Sequence, residues 1–394
     1  MAKQTQRKST RGSSQIGHGE TVLTINGLSV SLPEGADREF AIEDVTLHVD
    51  QGEIVCIVGE SGSGKSVTAH TVMGLIPKED LKPVAGEVFL EGEELLNKTD
   101  KQLCQLRGER MAMIFQEPMT ALNPVMKVGE QIGEMLEIHT KMDASARKVR
   151  VLEVMEDVKL PDPALMYDSY PHQLSGGQRQ RIMIAMALAL EPGLLIADEP
   201  TTALDVTTQA QILDLIKEIQ RSHGTGVMFI THDFGVVAEI ADRVVVMQFG
   251  KIVEQGDAKQ VLTKPEHPYT KMLMASVPSM DPPERTAVIS VEPALETSKL
   301  NKTYGSAGWF GGGRVVKAAN DVDLVVYRGE TLGVVGESGS GKSTVARCIM
   351  RLIDPTSGEV LIHGENIATL NENALRPFRS DVQIVFQDPY RSLN

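Results

Sequence analysis

The chain contains few cysteines, and the three that it has, Cys56, Cys104 and Cys348, stand far apart in its 394 residues. This spacing fits neither a disulfide framework nor a structural zinc site, because both need cysteines in pairs or clusters. A reduced, cytoplasmic compartment is therefore expected.

A long apolar run and an excess of basic charge are also missing. No stretch approaches the roughly 18 consecutive apolar residues that indicate a membrane-crossing helix. Residues 1–20 are polar and contain no apolar signal core, so a disordered tail is predicted there. The net charge of −14 disfavours a general role in binding nucleic acid, and no nucleic-acid partner is expected.

One phosphate-binding sequence is present twice, in the form G-x-x-x-x-G-K-[ST]. Its glycines let successive backbone N–H groups surround phosphate oxygens, while the lysine reaches the outer phosphates and the hydroxyl meets Mg²⁺. The copies are Gly59, Glu60, Ser61, Gly62, Ser63, Gly64, Lys65, Ser66 and Gly336, Glu337, Ser338, Gly339, Ser340, Gly341, Lys342, Ser343. Two ATP-binding sites are therefore predicted.

The residues around each loop support this interpretation. Apolar runs at 54–58 and 331–335 predict buried strands that enter the loops. Helices are predicted to begin at Ser66 and Ser343, where their N-termini favour anions. Similar sequences flank both loops, and the two copies are separated by a much longer stretch of chain than the length of one solenoid repeat. This pattern indicates tandem duplication of a domain. The boundary is expected in the proline-containing stretch 277–285.

Residues suited to hydrolysis occur only once. The apolar strand predicted at 194–197 ends in Asp198 and Glu199, at a position where an acid can reach Mg²⁺. Asp198 suits the metal and Glu199 suits a general base that orients water. Alone, such a pair is usually a solvated surface feature, but beside a phosphate loop the catalytic interpretation is favoured. Farther upstream, a helix is predicted from Arg179, with Ser175 as its N-cap and glycines that allow close backbone approach.

Together these motifs resemble the nucleotide-binding domain of ATP-binding cassette, or ABC, proteins. The resemblance covers about residues 21–260 completely and 294–394 in part. It implies an α/β P-loop NTPase fold with a RecA-like core, an antiparallel β subdomain and a helical subdomain, the second copy being partial. The corresponding motifs are the Walker A loop 59–66, the Q-loop Gln116, the signature 174–178, the Walker B strand 194–199, the D-loop 203–205 and the switch His232.

The resemblance also implies roles for individual residues. The implied catalytic residues are Glu199, His232 and Gln116. His232 would contact the γ-phosphate and help to position the attacking water, while Gln116 would sense Mg²⁺ and move with the transmembrane partner. Tyr304 would stack on adenine in the second copy, whereas Leu32 and Phe40 both remain candidates in the first. The implied ATP-binding signature residues are Ser175, Gly176, Gly177 and Gln178, and the implied metal ligands are Ser66, Gln116, Asp198, Ser343 and Gln387.

ABC domains act as head-to-tail pairs, with each ATP between one domain's Walker A loop and the other's signature. Lys342 is then expected to meet residues 175–178, while the pocket of Lys65 needs a signature from elsewhere. If the spacing from the Q-loop to the signature and to the switch histidine is the same in both copies, the second signature and the second histidine would fall beyond Asn394. A fragment or truncated gene product is the preferred interpretation, and a second domain reduced to a regulatory pocket is the alternative.

The segment 266–278 resembles the C-terminal extension of oligopeptide and dipeptide importer ATPases, whose fused tandem forms include microcin-type and glutathione-type importers. Some relatives carry a cysteine cluster after this extension, but no cysteine lies between Cys104 and Cys348, so no iron–sulfur cluster is expected. The predicted domains are a tail at 1–20, a complete cassette at 21–260, the extension and linker at 261–293 and a partial cassette at 294–394.

The function implied is that of the ATP-hydrolysing subunit of a bacterial peptide-type ABC importer, with ATP and Mg²⁺ as cofactors. Such a subunit is peripheral on the cytoplasmic face of the cell membrane. Its partners would be two integral-membrane permease subunits, a periplasmic or extracellular solute-binding protein indirectly, and a second cassette or another copy of the chain. The alternatives are an importer ATPase for nickel or glutathione, a soluble ABC ATPase outside transport, and a nucleotide-binding regulatory module.

Overall fold

The computed structural model describes residues 19–77, 79–202, 204–277, 292–305 and 315–386. The chain divides into two compact units, one formed by Met1–Leu204 with Thr208–Ser279 and the other by Asp205–Thr207 with Met280–Asn394. The residues outside the described ranges include 1–18 of the tail predicted at 1–20, Ala203 of the D-loop, 278–291 of the predicted extension and linker, and the predicted metal ligand Gln387. These assignments stay predictions.

The first unit contains a four-stranded antiparallel sheet and a six-stranded, largely parallel one. Their orders are β2-β1-β4-β5 and β10-β9-β3-β8-β7-β6, with only β10 antiparallel to its neighbour in the larger sheet. The strands are β1 Thr21–Ser31, β2 Phe40–Asp50, β3 Ile54–Val58, β4 Lys82–Leu90, β5 Glu93–Glu94, β6 Met111–Ile114, β7 Leu194–Asp198, β8 Gly226–Thr231, β9 Arg243–Gln248 and β10 Lys251–Asp257.

Helices cover the six-stranded sheet and connect its parallel strands. They are α1 Lys65–Met73, α2 Asp100–Leu106, α3 Pro118–Ala121, α4 Val128–His139, α5 Ala144–Asp157, α6 Pro163–Met166, α7 Gly176–Leu188, α8 Val206–His223, α9 Phe234–Ile240, α10 Ala258–Thr263 and α11 Pro268–Ala275. A 3-10 helix, Pro171–Gln173, precedes α7.

The six-stranded sheet is buried on both faces, which explains why its strands are continuously apolar. In β3, the side chains of Ile54, Cys56 and Val58 belong to one hydrophobic cluster. Val55 and Ile57, which alternate with them, belong to a second cluster. Since successive side chains of a strand point to opposite faces, each face of the sheet has its own core. This arrangement confirms the predicted α/β fold class and brings the C-terminal ends of the parallel strands to one edge.

The second unit repeats the smaller sheet of the first. Its four strands are antiparallel in the order β12-β11-β13-β14, which matches the order β2-β1-β4-β5. Its elements are β11 Pro293–Tyr304, β12 Val316–Tyr327, α12 Lys342–Ile349, β13 Ser357–Ile362, β14 Glu365–Asn366, α13 Glu372–Leu375 and a 3-10 helix at Pro377–Ser380. A small core that includes Leu300, Cys348 and Val360 holds this sheet to α12.

The prediction of a buried strand at residues 331–335 is wrong. These residues form no strand and are exposed, with Val335 at 92% exposure, whereas Val58 at the matching position of the first copy is fully buried. The strand β3 is stabilised by parallel pairing with β8 and β9 on its two sides. In the described part of the second unit, all pairing between strands is antiparallel and belongs to the four-stranded sheet. Among the residues that the structure describes, none offers the parallel pairing that a buried strand at 331–335 would need.

Within the described ranges, no helix combines the length and the apolar character that a membrane span requires.

Candidate nucleotide site

The first phosphate loop connects the C-terminal end of β3 to α1 at the edge of the six-stranded sheet. Gly64 is the N-cap of α1 and has a left-handed conformation, φ 102°. A Cβ atom at Gly64 would lie 2.6 Å from Ile42 Cγ2, and one at Gly59 would lie 2.2 Å from the carbonyl oxygen of Met247. Side chains are therefore excluded at both positions, and the backbone N–H groups that begin α1 face the loop as anion donors.

Lys65 is held at this loop by backbone carbonyl groups. Its Nζ donates to the carbonyl oxygens of Gly59 over 2.8 Å and of Glu60 over 2.9 Å, and the residue is 5% exposed. Burial lowers the pKa of the Lys65 ammonium, while the carboxylates of Glu199 and Asp198 oppose this shift. The positive charge thus lies where outer phosphates of a nucleotide would bind.

Ser66 and Asp198 place two side-chain oxygen atoms next to each other beside the loop. The Ser66 hydroxyl donates to Asp198 Oδ1 over 3.1 Å, and Asp198, the last residue of β7, is 4% exposed. Burial raises the pKa of the Asp198 carboxyl, and the hydrogen bond from Ser66 opposes that rise. Within the described residues, no group of three or more His, Cys, Asp or Glu side chains could hold a metal. A hydroxyl and a carboxylate oxygen are hard donors of the kind that Mg²⁺ binds, and this ion usually takes only one or two protein ligands, so the Ser66–Asp198 pair fits it.

Three side chains converge on the carboxylate of Glu199. Gln116 Nε2 donates to Glu199 Oε2 over 3.0 Å, and the Thr202 hydroxyl donates to the same oxygen over 3.0 Å. His232 Nδ1 lies 3.2 Å from Glu199 Oε1. Glu199 has φ 45°, in the left-handed region, and its N–H donates to the carbonyl oxygen of Ile230 at the end of β8. The structure therefore brings together all three residues predicted to be catalytic.

The signature residues begin α7 and form a closed helix cap. Ser175 Oγ accepts from the Gln178 N–H over 3.3 Å, and Gln178 Oε1 accepts from the Ser175 N–H over 2.9 Å. Ser175 and Gly176 are exposed, and a Cβ atom at Gly176 would meet nothing within 4 Å. Within the described residues of the first unit, no hydrogen bond joins 175–178 to the phosphate loop.

The second phosphate loop has the same local geometry in a more exposed setting. Lys342 Nζ donates to the carbonyl oxygens of Gly336 and Glu337 over 2.6 and 2.8 Å, and Gly341 caps α12 with φ 96°. Ser343 is exposed at the start of that helix. Tyr304, the predicted adenine-stacking residue, is 41% exposed, and Lys302 Nζ lies 5.1 Å from the centre of its ring.

Three contacts of the first site were not predicted from the sequence. Thr202 binds Glu199 as described, Arg38 Nη2 donates to the carbonyl oxygen of Gly62 over 2.7 Å, and the Glu60 N–H donates to the hydroxyl oxygen of Tyr269 over 3.1 Å. The three-residue spacing between Glu199 and Thr202 was a usable signal. The contacts of Arg38 and Tyr269 bridge separate segments of the chain, and no local pattern indicates them.

Two family models match this sequence. One, described as ABC transporter, matches residues 42–202 and 319–394. The other, described as Oligopeptide/dipeptide transporter, C-terminal region, matches residues 253–305.

Curated relatives are similar along almost the whole chain. The glutathione import ATP-binding protein GsiA of Salmonella choleraesuis (strain SC-B67) is 44% identical over 404 residues, which cover 95% of this chain and 65% of the relative. The peptidoglycan transport ATP-binding protein YejF of Agrobacterium fabrum (strain C58) is 44% identical over 379 residues, covering 95% of this chain and 68% of the relative. The chain therefore spans about two thirds of the length of these relatives.

Solved structures of nucleotide-binding cassettes share the fold. A dimeric ATP-binding cassette in a post-hydrolysis state, bound to ADP and Pi, has a TM-score of 0.54 and 29% identity, covering 60% of this chain and 98% of that chain. CbiO1 from Clostridium perfringens, part of the ABC transporter complex cbiONQ, has a TM-score of 0.54 and 26% identity, covering 62% of this chain and 92% of that chain.

Proposed function

The chain belongs to the ABC transporter family, and from this premise we propose that it hydrolyses ATP to energise import of peptides or a related small nutrient. The observation that carries the proposal is the convergence of Gln116, Thr202 and His232 on Glu199, beside the loop that holds Lys65. A carboxylate next to a phosphate-binding loop is the arrangement that hydrolysis of a terminal phosphate needs.

In this proposal the loop and α1 bind the phosphates. The backbone N–H groups at the start of α1 and the ammonium of Lys65 would bind the outer phosphate oxygens. Ser66 and Asp198 would hold Mg²⁺, with Gln116 close by on the Glu199 side. When bound, Mg²⁺ supplies positive charge that neutralises the phosphate oxygens.

Glu199 would be the general base. Its carboxylate accepts hydrogen bonds from Gln116 and Thr202 on Oε2, which leaves Oε1, near His232, as the oxygen able to take a proton from water. His232 would align that water and contact the terminal phosphate. Three supports from separate loops restrict the carboxylate to one orientation, which favours catalysis through positioning.

Completion of the site would need a signature from a partner. The exposed N-terminus of α7, with its Ser175–Gln178 cap and open space at Gly176, is suited to approach the phosphates of another domain. That domain would be a second cassette or another copy of this chain. Closure of such a pair would exclude water from the site.

The transport role rests on the segment 253–305 and on the relatives, whose names describe glutathione import and peptidoglycan transport. The partners proposed are two integral-membrane permease subunits, and indirectly a periplasmic or extracellular solute-binding protein. The chain would act on the cytoplasmic side of the bacterial membrane. Glutathione and short peptides share a peptide backbone, so both fall within the proposed cargo class, and nickel is a third candidate.

The hydrolytic part is tested by phosphate release from the full 394-residue chain and its Glu199→Gln variant. Loss of the base should lower the rate by about 100-fold or more while nucleotide binding persists. Glu191→Gln is a matched control, because Glu191 is also a glutamate with a positive φ (54°) but pairs with Arg150, away from the loop. Equal phosphate release from the Glu199→Gln variant and the unmodified chain would contradict the assignment.

The transport part is tested by purification from a bacterial host that carries the neighbouring genes. Co-purification of two multispanning proteins in the membrane fraction would support an importer. Sedimentation of the chain with ribosomes, without membrane proteins, would instead support a soluble ABC ATPase and contradict this part of the proposal.

A further inference from the structure

A tyrosine from the C-terminal extension is bonded to the phosphate loop. The Glu60 N–H donates to the Tyr269 hydroxyl oxygen over 3.1 Å, across 209 residues of sequence. Tyr269 is 5% exposed and belongs to the same hydrophobic cluster as Val58, the last residue before the loop. The ring is thus fixed by packing, and its hydroxyl is held at one place on the loop.

A set of hydrogen bonds fixes the segment that carries Tyr269. Both carboxylate oxygens of Glu254 accept backbone N–H groups, one from Glu266 over 2.8 Å and one from His267 over 3.0 Å. His267 Nδ1 accepts from the Tyr269 N–H over 3.2 Å and caps α11, whose first residue is Pro268. Glu254 lies on β10, which pairs with β9 next to β3. The segment that carries Tyr269 is therefore anchored to the six-stranded sheet, and strand β3 of this sheet leads into the phosphate loop.

The contact acts on the peptide that Lys65 uses. The N–H of Glu60 is bonded to Tyr269, and its carbonyl oxygen accepts from Lys65 Nζ over 2.9 Å. Glu60 is thus held at both ends of its backbone, by the extension on one side and by the loop's own lysine on the other. Displacement of the Glu60 N–H would also move the Gly59 carbonyl group, which accepts from Lys65 Nζ over 2.8 Å, because these two groups belong to one planar peptide unit.

We propose that Tyr269 is a positioning residue for nucleotide binding, through which the C-terminal extension holds the first phosphate loop in its binding geometry. This inference rests on the proposed ATP-binding function of the loop. The hydroxyl acts through the backbone of Glu60 and does not touch the nucleotide. A loop that is already held in place loses less conformational freedom when it binds, so its affinity is higher.

The second loop provides an internal comparison. Lys342 makes the same two carbonyl contacts, with Gly336 and Glu337. In the described part of the second unit, however, no tyrosine hydroxyl is bonded to the Glu337 N–H. A change at Tyr269 should therefore affect nucleotide binding at the first loop and leave the second unchanged.

The test is Tyr269→Phe in the full chain, which removes the hydroxyl and keeps the ring. Hydrogen–deuterium exchange without nucleotide should show the peptide that contains Glu60 exchanging about threefold to tenfold faster. The affinity for a non-hydrolysable ATP analogue should fall by about the same factor when Lys342→Ala restricts binding to the first loop. In a Lys65→Ala background, which leaves the second loop, the affinity should not change.

Tyr167→Phe is the control, because it makes the same change at a half-buried tyrosine that lies near Gly129 on α4, away from the loop. It should change neither the exchange of the loop nor the affinity. Unchanged exchange at Glu60 in the Tyr269→Phe variant would overturn the inference, as would an equal loss of affinity in both lysine backgrounds. If the unmodified chain binds no ATP analogue, the proposed function fails, and the exchange measurement still decides whether Tyr269 positions the loop.

Discussion

The side-chain amide of Gln116 donates a hydrogen bond to the carboxylate of Glu199 over 3.0 Å, although 83 residues separate the two in sequence. They meet because β6 and β7 are parallel neighbours, and each residue follows the C-terminal end of its strand. Thr202 binds the same oxygen of Glu199 from the next turn of chain. The candidate base is therefore oriented by side chains from separate loops, and each support can be removed on its own.

Thr202→Val should slow hydrolysis without preventing nucleotide binding. It removes one of the two hydrogen bonds to Glu199 Oε2 at nearly constant side-chain volume. We expect kcat to fall by about tenfold to 100-fold, because a hydrogen bond to a charged group such as this carboxylate contributes roughly 1.5–3 kcal/mol. Steady-state phosphate release and analogue binding measure the two quantities separately. Thr263→Val is the control, since the hydroxyl of Thr263 bonds only to its own helix at Lys259. A change in KM with kcat unaffected would contradict the role.

The two phosphate loops should bind nucleotide with unequal affinity. Lys65 is buried in a loop that also receives contacts from Arg38 and Tyr269, whereas Lys342 is half-exposed. Removal of a charged donor from a phosphate site should weaken binding by about 10- to 100-fold.

Calorimetric titration with a non-hydrolysable analogue measures both sites. Lys342→Ala should leave the tighter binding event, and Lys65→Ala should leave the weaker one. Lys101→Ala, on the exposed side of α2, should leave both events unchanged. Tighter binding in the Lys65→Ala variant than in the Lys342→Ala variant would show that the order is reversed.

Hydrolysis per chain should increase with protein concentration. The signature at Ser175 is exposed and, within the described residues of the first unit, makes no hydrogen bond to the loop at Lys65, so we expect two copies to complete each other's sites. Phosphate release across a wide range of protein concentrations, together with light scattering, measures this pairing. Gly176→Asp adds negative charge in open space and should abolish the concentration dependence while analogue binding at Lys65 persists. Full activity in a verified monomer would contradict the expectation.

The stability contributed by Glu254 should depend on pH. Burial by itself raises the pKa of the Glu254 carboxyl, but the Glu266 N–H, the Thr270 side chain, and the N–H and charge of His267 together outweigh it, and the net pKa is lowered. A carboxyl group whose pKa is lower in the folded state stabilises the folded protein at pH values above its pKa in the unfolded state. This stabilisation is lost as the pH falls through the pKa of the folded state.

Glu254→Gln should therefore lower Tm at neutral pH, and the difference from the unmodified chain should vanish in acid. Thermal unfolding over a pH series measures it. Glu266→Gln is the control, since the Glu266 side chain takes no part in these bonds and only its N–H does. A Tm difference that grows as the pH falls would contradict the sign of the shift.

The arrangement around the first loop was predictable because strand ends impose it. Asp198 and Glu199 follow an apolar run, as does His232, and parallel strands of one sheet end at the same edge. Their proximity could therefore be inferred from the order of the motifs. Their chemical roles stay predictions, as do those of the signature residues and of Tyr304.

The run 331–335 shows where this reasoning stops. Its residues have the same apolar pattern as β3, but a buried strand also needs neighbours, and pattern alone does not supply them. The contact of Tyr269 with Glu60 is hidden for another reason. It depends on the register of β10 against β9 and on the start of α11, which together bring two distant segments to one point. The sequence did not decide between Leu32 and Phe40 as the residue that contacts adenine in the first copy. Between these two residues, Arg38 contacts the phosphate loop in the structure.

The exposed run 331–335 has a consequence for handling the protein. Val334 and Val335 are 57% and 92% exposed, in a stretch without charge or proline and outside any sheet. Short segments rich in β-branched residues with free backbone groups are templates on which strands of other molecules add. Aggregation of this chain on warming or during refolding would therefore start in the second unit, and a lysine introduced into the run would improve solubility without touching the first phosphate loop.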